Sequence, residues 1–298
     1  MGKFRLGRSE NVYAWLFLAP ALTLLAIFMV YPILWSLWMS FQTGKGVNTQ
    51  FGGLANIYRL TQDPVFLRAL TNTLIFLIIQ VPIMIVLAIL AAVALNDPKL
   101  RGRAFFRTAI FLPCVTSLVA YSVLFKSMFA TDGVVNDTLM WLHIISSPIP
   151  WLAQPFWAKC LIIIAITWRW TGYNMIFFLA ALQNIDRSIY EAARIDGVPA
   201  WARFVYLTVP MLKPVILFTT VISTIGTLQL FDEVNNITAS GGVGGAPADS
   251  TLTLSLYIYN LTFRFMPSLG YAATVSYVIV VLVALLTALQ FFVARERK

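Results

Sequence analysis

Long apolar stretches alternate with short polar ones along the whole chain: Tyr13–Phe41, Leu70–Leu95, Thr108–Ala130, Trp157–Gln183, Val215–Val234 and Tyr271–Val293. Each reaches the roughly 20 residues that a helix needs to cross the hydrocarbon core of a bilayer. The pattern predicts an all-α integral membrane protein with six spanning helices in one transmembrane domain, 1–298. The intervening loops, Gln42–Arg68, Thr131–Pro155 and Asn236–Pro267 on one side, are too short for a further folded domain. Pro20, Pro32, Pro82 and Pro113 fall inside spans, where each removes a helical hydrogen bond and kinks or interrupts its helix.

Composition agrees with the pattern. Of the 298 residues 59% are hydrophobic and 11% charged, with a mean hydropathy of +0.81, more apolar content than a soluble core of this length could bury. Lipid is therefore the expected solvent. Basic residues set the orientation of such a chain, and 14 of the 21 fall on one side: Lys3, Arg5, Arg8, Lys99, Arg101, Arg103, Arg107, Arg187, Arg194, Arg203, Lys213, Arg295, Arg297 and Lys298. Only Lys45, Arg59, Arg68 and Arg264 fall on the other, so both termini and the interval 186–214 are expected in the cytoplasm. This asymmetry accounts for the net charge of +9 without nucleic acid as a partner. The first apolar run is about twice the length of a secretory signal's and lacks a small-residue cleavage site, so it is expected to remain as the first helix.

Several kinds of chemistry find no support. Cys114 and Cys160 both lie in apolar spans, which argues against a disulfide framework or a thiolate metal site. His143 is the sole histidine and falls in an outer loop. With no phosphate-binding loop of the Walker type, the chain is expected neither to hydrolyse ATP nor to carry a cofactor of its own.

The interval 186–214 reads differently from the other loops. Ser188 can cap a helix opened by Ile189-Tyr190-Glu191-Ala192-Ala193, with Glu191 near the positive end of its dipole. Asp196-Gly197 then breaks that helix, because glycine readily takes the left-handed conformation. A second short helix from about Pro199 leads to Pro210 and Pro214, which launch the next span. Two short helices joined at a glycine make a compact knob on the cytoplasmic face.

The order Glu191-Ala192-Ala193, three residues, Gly197, then Phe204, Leu207, Val209-Pro210 and Pro214 resembles the EAA loop of the membrane subunits of bacterial ABC importers. The likeness extends through Leu18-Ala19-Pro20, Tyr31-Pro32, Leu112-Pro113, Gly172-Tyr173-Asn174, Phe231-Asp232-Glu233 and Gly270-Tyr271-Ala272, and is nearest to permeases for carbohydrates. Ser240-Gly241-Gly242 with Thr251, Leu254, Tyr257, Tyr259 and Phe263 also resembles the outer segment and re-entrant scaffold of sugar importers. The resemblance implies a type I importer permease fold in the bacterial inner membrane. It implies a second homologous permease as partner, two ATP-binding subunits that hold ATP and Mg, and an extracytoplasmic solute-binding protein. Within the loop it assigns Glu191 a polar contact with the ATPase and Gly197 the turn, with Asp196 beside it, while Ala192 and Ala193 allow close approach. The large outer domain of maltose-type larger subunits has no counterpart here.

A substrate path is sought where polar and aromatic residues interrupt the spans. At 100° per residue, Arg169, Trp170, Tyr173, Asn174 and Phe177 fall within an arc of roughly 140° on the fourth span. Thr220, Ser223, Thr227 and Phe231 form a similar stripe on the fifth. Sugars combine apolar C–H faces with hydroxyls, so aromatic planes beside hydrogen-bonding groups suit them. The resemblance places substrate contacts on the same two helices. Arg169 is the costly member, a cation deep in a span, with three arrangements open to it: pairing with Asp232 or Glu233, capping exposed carbonyls, or meeting an anionic sugar. A permease for another solute, or an ion-coupled transporter using Asp232 and Glu233, stands as the alternative reading.

Overall fold

A computed structural model describes residues 8–46, 48–240, 244–264 and 267–295. Lys3, Arg5, Arg297 and Lys298 of the charge asymmetry, and Gly241 and Gly242 of the outer loop, lie outside them. The chain runs through α1 (Arg8–Leu25), a π-helical turn (Ala26–Val30) and α2 (Tyr31–Ser40), then the strands β1 (Gln42–Lys45) and β2 (Asn48–Phe51). There follow α3 (Ala55–Gln62), α4 (Pro64–Asn96), α5 (Arg103–Val115), α6 (Leu118–Met128), α7 (Val134–Trp141), α8 (Pro155–Gln183) and α9 (Arg187–Ile195). The rest comprises α10 (Ala200–Arg203), a π turn (Phe204–Thr208), α11 (Val209–Met211), α12 (Lys213–Leu228), α13 (Asp232–Ile237), α14 (Leu254–Tyr259), a third π turn (Asn260–Arg264) and α15 (Leu269–Arg295). Four helical stretches of the described residues are long and apolar enough to cross a bilayer, or six if each of two bent pairs counts as one span.

The chain divides into two compact units, 1–62 with 258–277 and 63–257 with 278–298. In the first unit the helix from Trp15 to Ser40 buries none of its apolar window inside the chain. What is fixed is its C-terminal end. Asn56 Nδ2 donates to the carbonyls of Ser40 and Gln42 at 2.9 and 2.8 Å, and Thr274 Oγ1 donates to the Ser40 carbonyl at 3.0 Å. These bonds satisfy carbonyls that a helix end leaves without partners. β1 and β2 form an antiparallel hairpin pairing Gln42 with Phe51, an element the alternation of apolar runs did not predict.

The second unit is built on α4 and α8. Their interface carries small side chains, Ala69, Ala88 and Ala92 from one helix and Ala158 and Ala165 from the other, all but inaccessible. Small residues let membrane helices approach and gain dispersion where no hydrophobic effect drives them together. α5 meets α8 still more closely at Gly172, where a Cβ would fall 2.0 Å from the Ile110 carbonyl oxygen. α4 begins at Pro64 because Asp63 caps it, its Oδ1 accepting from the amides of Val65 and Phe66 at 2.9 and 3.2 Å.

The intramembrane prolines act unequally. α4 continues through Pro82. Pro32 and Pro210 each follow by two residues the last residue of a π turn, Ala26–Val30 and Phe204–Thr208. In both, the wider turn closes from the residue before proline, Tyr31 N–H to Ala26 O and Val209 N–H to Phe204 O. A wider turn gives the ring room that the carbonyl four residues earlier would otherwise occupy. Pro113 stands in the last turn of α5, and the chain bends by 101° between α5 and α6. The expected continuous span 108–130 is thus two helices. Likewise the expected span 215–234 ends at Leu228, and α13 starts separately at Asp232. No proline stands at this second break, and Gly226 lies in the last turn of α12, two residues before its end. Thr253 Oγ1 donates to the Leu230 carbonyl at 2.6 Å, and the Leu230 amide bonds back to Thr227 O at 3.2 Å, so tertiary and local partners satisfy the opened backbone.

Candidate functional site

A cavity in the second unit, about 520 Å³ in volume, lies at the break between α12 and α13, lined also by α4 and α8 and touched by Leu118 of α6. That volume lies within the range of small-molecule sites. Of the residues expected on the substrate path, Trp170, Tyr173, Asn174, Ser223, Thr227 and Phe231 line it. The aromatic side is ordered by edge-to-face packing: Trp170 against Tyr173 at 5.8 Å between centroids, Tyr173 against Phe177 at 5.1 Å, and Phe177 against Phe218 at 5.5 Å. Phe177 lies behind the wall and holds Tyr173 in place.

The opposite side is polar. Asn174 Nδ2 donates to the Trp170 carbonyl at 3.0 Å, and Ser223 Oγ donates to Asn174 Oδ1 at 3.5 Å. Thr227 Oγ1 donates to Gln80 Oε1 at 3.2 Å. Gln80 and Met84, from α4, also line the cavity and were absent from the sequence-based set. An amide in the midst of the run Leu74–Leu95 was the available signal, since a polar side chain inside a span tends to face a partner or a pathway.

Arg169 does not line the cavity. Its Nη1 and Nη2 donate to the Thr116 carbonyl and its Nη2 to the Cys114 carbonyl, each at 3.4 Å, and its Nε stands 4.0 Å from Glu233 Oε1. Its guanidinium also faces the rings of Tyr121 and Trp170, at 5.1 and 5.8 Å. Only 6% of the residue is accessible. Two of the three arrangements expected for it, carbonyl capping and the carboxylate pair, are therefore realised together. The capped carbonyls are those the α5–α6 break exposes. Glu233 also accepts from Trp170 Nε1 at 3.3 Å and presents itself to the cavity beside Asp232.

α8 leads out of this site directly into the interval 186–214. The cap of α9 is Asp186, not Ser188: Asp186 Oδ1 accepts from the Ser188 amide at 2.9 Å. An aspartate two residues earlier puts its carboxylate where the free amides of the first turn converge. That backbone bond, aided by the Ser188 side chain, holds the Asp186 carboxyl below the usual carboxylate range. The helix closes at Gly197, whose φ of +73° is left-handed. The Gly197 amide bonds to Arg194 O at 3.1 Å and the Val198 amide to Ala193 O at 3.0 Å, the paired bonds of a Schellman turn.

Within this elbow Glu191, Ala192, Asp196 and Gly197 are exposed and Ala193 is buried. Apolar side chains are exposed with them, Ile195 at 86% and also Trp201 and Tyr206. Arg203 Nη1 bonds to Val198 O at 2.5 Å and Tyr190 OH meets Thr208 Oγ1 at 3.1 Å, tying α9 to the segment that follows. α12 then leaves at 69° to the helix that precedes it. The elbow residues and the cavity residues are thus two separate groups, joined through α8 and α12.

Comparison with known proteins gives this arrangement a family. Residues 65–298 match the model of the binding-protein-dependent transport system inner membrane components. The chain is 69% identical to the lactose transport system permease protein LacF of Rhizobium radiobacter, over 98% of this chain and 97% of that one. It is 32% identical to the arabinooligosaccharides transport system permease protein AraP of Halalkalibacterium halodurans, over 97% and 90%. Among solved structures it superimposes with a TM-score of 0.82 and 25% identity on a chain of a bacterial alginate ABC transporter in complex with an alginate pentasaccharide-bound periplasmic protein, over 97% and 96%. The chain belongs to the binding-protein-dependent transport system inner membrane components, the multi-pass permease subunits of ABC importers.

Proposed function

We propose that the chain is the permease of an ATP-driven oligosaccharide importer and forms half of a translocation pathway that opens alternately to the two sides of the bacterial cytoplasmic membrane. One observation carries the reading. The helix that presents Trp170, Tyr173 and Asn174 to the cavity ends in the elbow, and the helix that presents Ser223 and Thr227 begins from it. A push on the elbow therefore reaches both walls of the cavity through rigid helices. Stacked aromatics and amide and hydroxyl groups are the wall chemistry a sugar requires.

In this reading the chain crosses the membrane six times as a single domain with both termini inside, each bent pair counting as one span. The elbow Glu191–Gly197 is the EAA loop. It seats in one of two ATP-binding subunits, which hold the ATP and Mg, while this chain does no chemistry. A second, related permease completes the pathway, and a solute-binding protein delivers the sugar from outside. Nucleotide and loaded binding protein each favour one state of the pathway, and their differential affinity drives the cycle.

The exposed Ile195 offers the test. With Cys114 and Cys160 replaced by alanine, Ile195→Cys should cross-link to an ATP-binding subunit in inverted membrane vesicles and resist impermeant thiol reagents added to intact cells. Labelling from outside the cell, or a cross-linked complex without an ATPase, would remove the coupling role.

A further inference from the structure

We infer that Glu233 is the group by which the cavity selects an uncharged saccharide and refuses an acidic one, with Arg169 and Trp170 positioning it. The inference rests on the sugar-permease reading and narrows its substrate class. Among the described residues lining the cavity, the charged ones are Asp232 and Glu233, both acids. The nearest cation, Arg169, is buried and spends its Nη donors on the carbonyls of Cys114 and Thr116. It is turned from the cavity and approaches only the Oε1 oxygen of Glu233, at 4.0 Å.

That same oxygen accepts from Trp170 Nε1 at 3.3 Å. The carboxylate is thus held at Oε1 by the Trp170 N–H, with the Arg169 guanidinium from the adjacent position on α8 as its counter-charge at 4.0 Å. A carboxylate oxygen with free lone pairs beside an aromatic plane accepts from sugar hydroxyls, which are donors, while the ring covers their C–H face. A uronate brought to the same place would set a second anion beside Asp232 and Glu233 with one buried guanidinium to offset three charges. Like charges about 4 Å apart near a protein surface disfavour each other by orders of magnitude in binding.

The test compares lactose with lactobionate, a disaccharide of similar size that bears a carboxylate. Binding to the purified permease–ATPase complex without the binding protein is read by calorimetry, so that selection by the binding protein does not enter. Wild type should favour lactose by ~30-fold or more, as a like-charge penalty in a partly buried site requires. Glu233→Gln should lose about 10-fold in lactose affinity, the loss of a charged acceptor, and bring the two sugars within about 3-fold of each other. Trp170→Phe keeps an aromatic ring, smaller than the indole, and removes the N–H that holds the carboxylate. It should narrow the ratio in the same direction, which keeps the test decisive if Glu233→Gln does not assemble.

An unchanged ratio in both variants, or equal binding of the two sugars to wild type, would overturn the role of Glu233 and leave the permease reading standing. Binding of neither sugar to wild type would overturn the sugar reading, and this inference with it.

Discussion

The chain turns sharply at Thr116 and again at Gly197, and the two turns are held by opposite means. At Gly197 the turn itself is made by local bonds: Asp186 opens α9 and two amides close it on Arg194 and Ala193, with open space where a Cβ of Gly197 would stand. At Thr116 the local sequence supplies a preceding proline, a hydroxyl bond to Pro113 O at 2.8 Å and an amide bond to Leu112 O at 3.2 Å. The bend is completed from another helix, by Arg169. A self-contained motif suits an exposed elbow, which in the proposed reading presents its surface to a partner. A break at the wall of a cavity can instead be held by a residue that also touches the cavity's carboxylate, so that the shape of the site and the bend of the span depend on one another.

The sharpest way to break this contrast is at Arg169. Arg169→Met keeps an unbranched stem but leaves Glu233 buried without a counter-charge and the Thr116 and Cys114 carbonyls without the guanidinium donors. Breaking a buried pair from one side costs about 3–5 kcal/mol, so the complex should lose thermal stability and transport together. Adding Glu233→Gln should recover part of that stability. A single variant that melts with wild type would mean that the α5–α6 bend does not need the guanidinium.

Gly197→Ala should act more mildly. The site has room for the methyl group, so the cost is the left-handed backbone alone, roughly 1–2 kcal/mol. Assembly should survive while sugar-stimulated ATPase activity falls, and Gly197→Asn should lose less, because asparagine tolerates this conformation. Equal stimulation in glycine and alanine forms would show that the elbow's geometry is not what transmits the push.

The smallest effect is expected at Asp186. Its folded carboxyl titrates below its unfolded value, so its capping contribution is full above the unfolded pKa and is lost as pH falls through the folded one. Exchange protection of the Ser188 amide should therefore fall in the acid range in wild type, and lie at the lower level with less pH dependence in Asp186→Asn. Protection that rises on acidification would contradict the cap.

The elbow and the spans differ in how far they could be read in advance. The turn at Gly197 was legible because it rests on a few neighbouring residues, and a left-handed glycine after a short amphipathic helix has one common use. The cap was placed two residues late, since Asp186 and Ser188 both suit the position and only the backbone path separates them. Pro113 announced a disturbance in the third span, but not a bend of 101°, and nothing between Thr227 and Asp232 announced the second break. Trp170, Tyr173 and Asn174 were found from helical spacing, whereas Gln80 comes from a different helix.

Chain order alone determined that the protein lives in lipid, how many apolar stretches it has, and where the elbow after α9 turns, because hydrophobicity, proline and glycine act on the residues beside them. Tertiary structure decided which spans break and which charged group serves the site. An opened backbone or a buried cation is tolerable only where a distant partner completes it, and the partners of Arg169, Leu230 and Thr227 lie 53 to 64, 23 and 147 residues away.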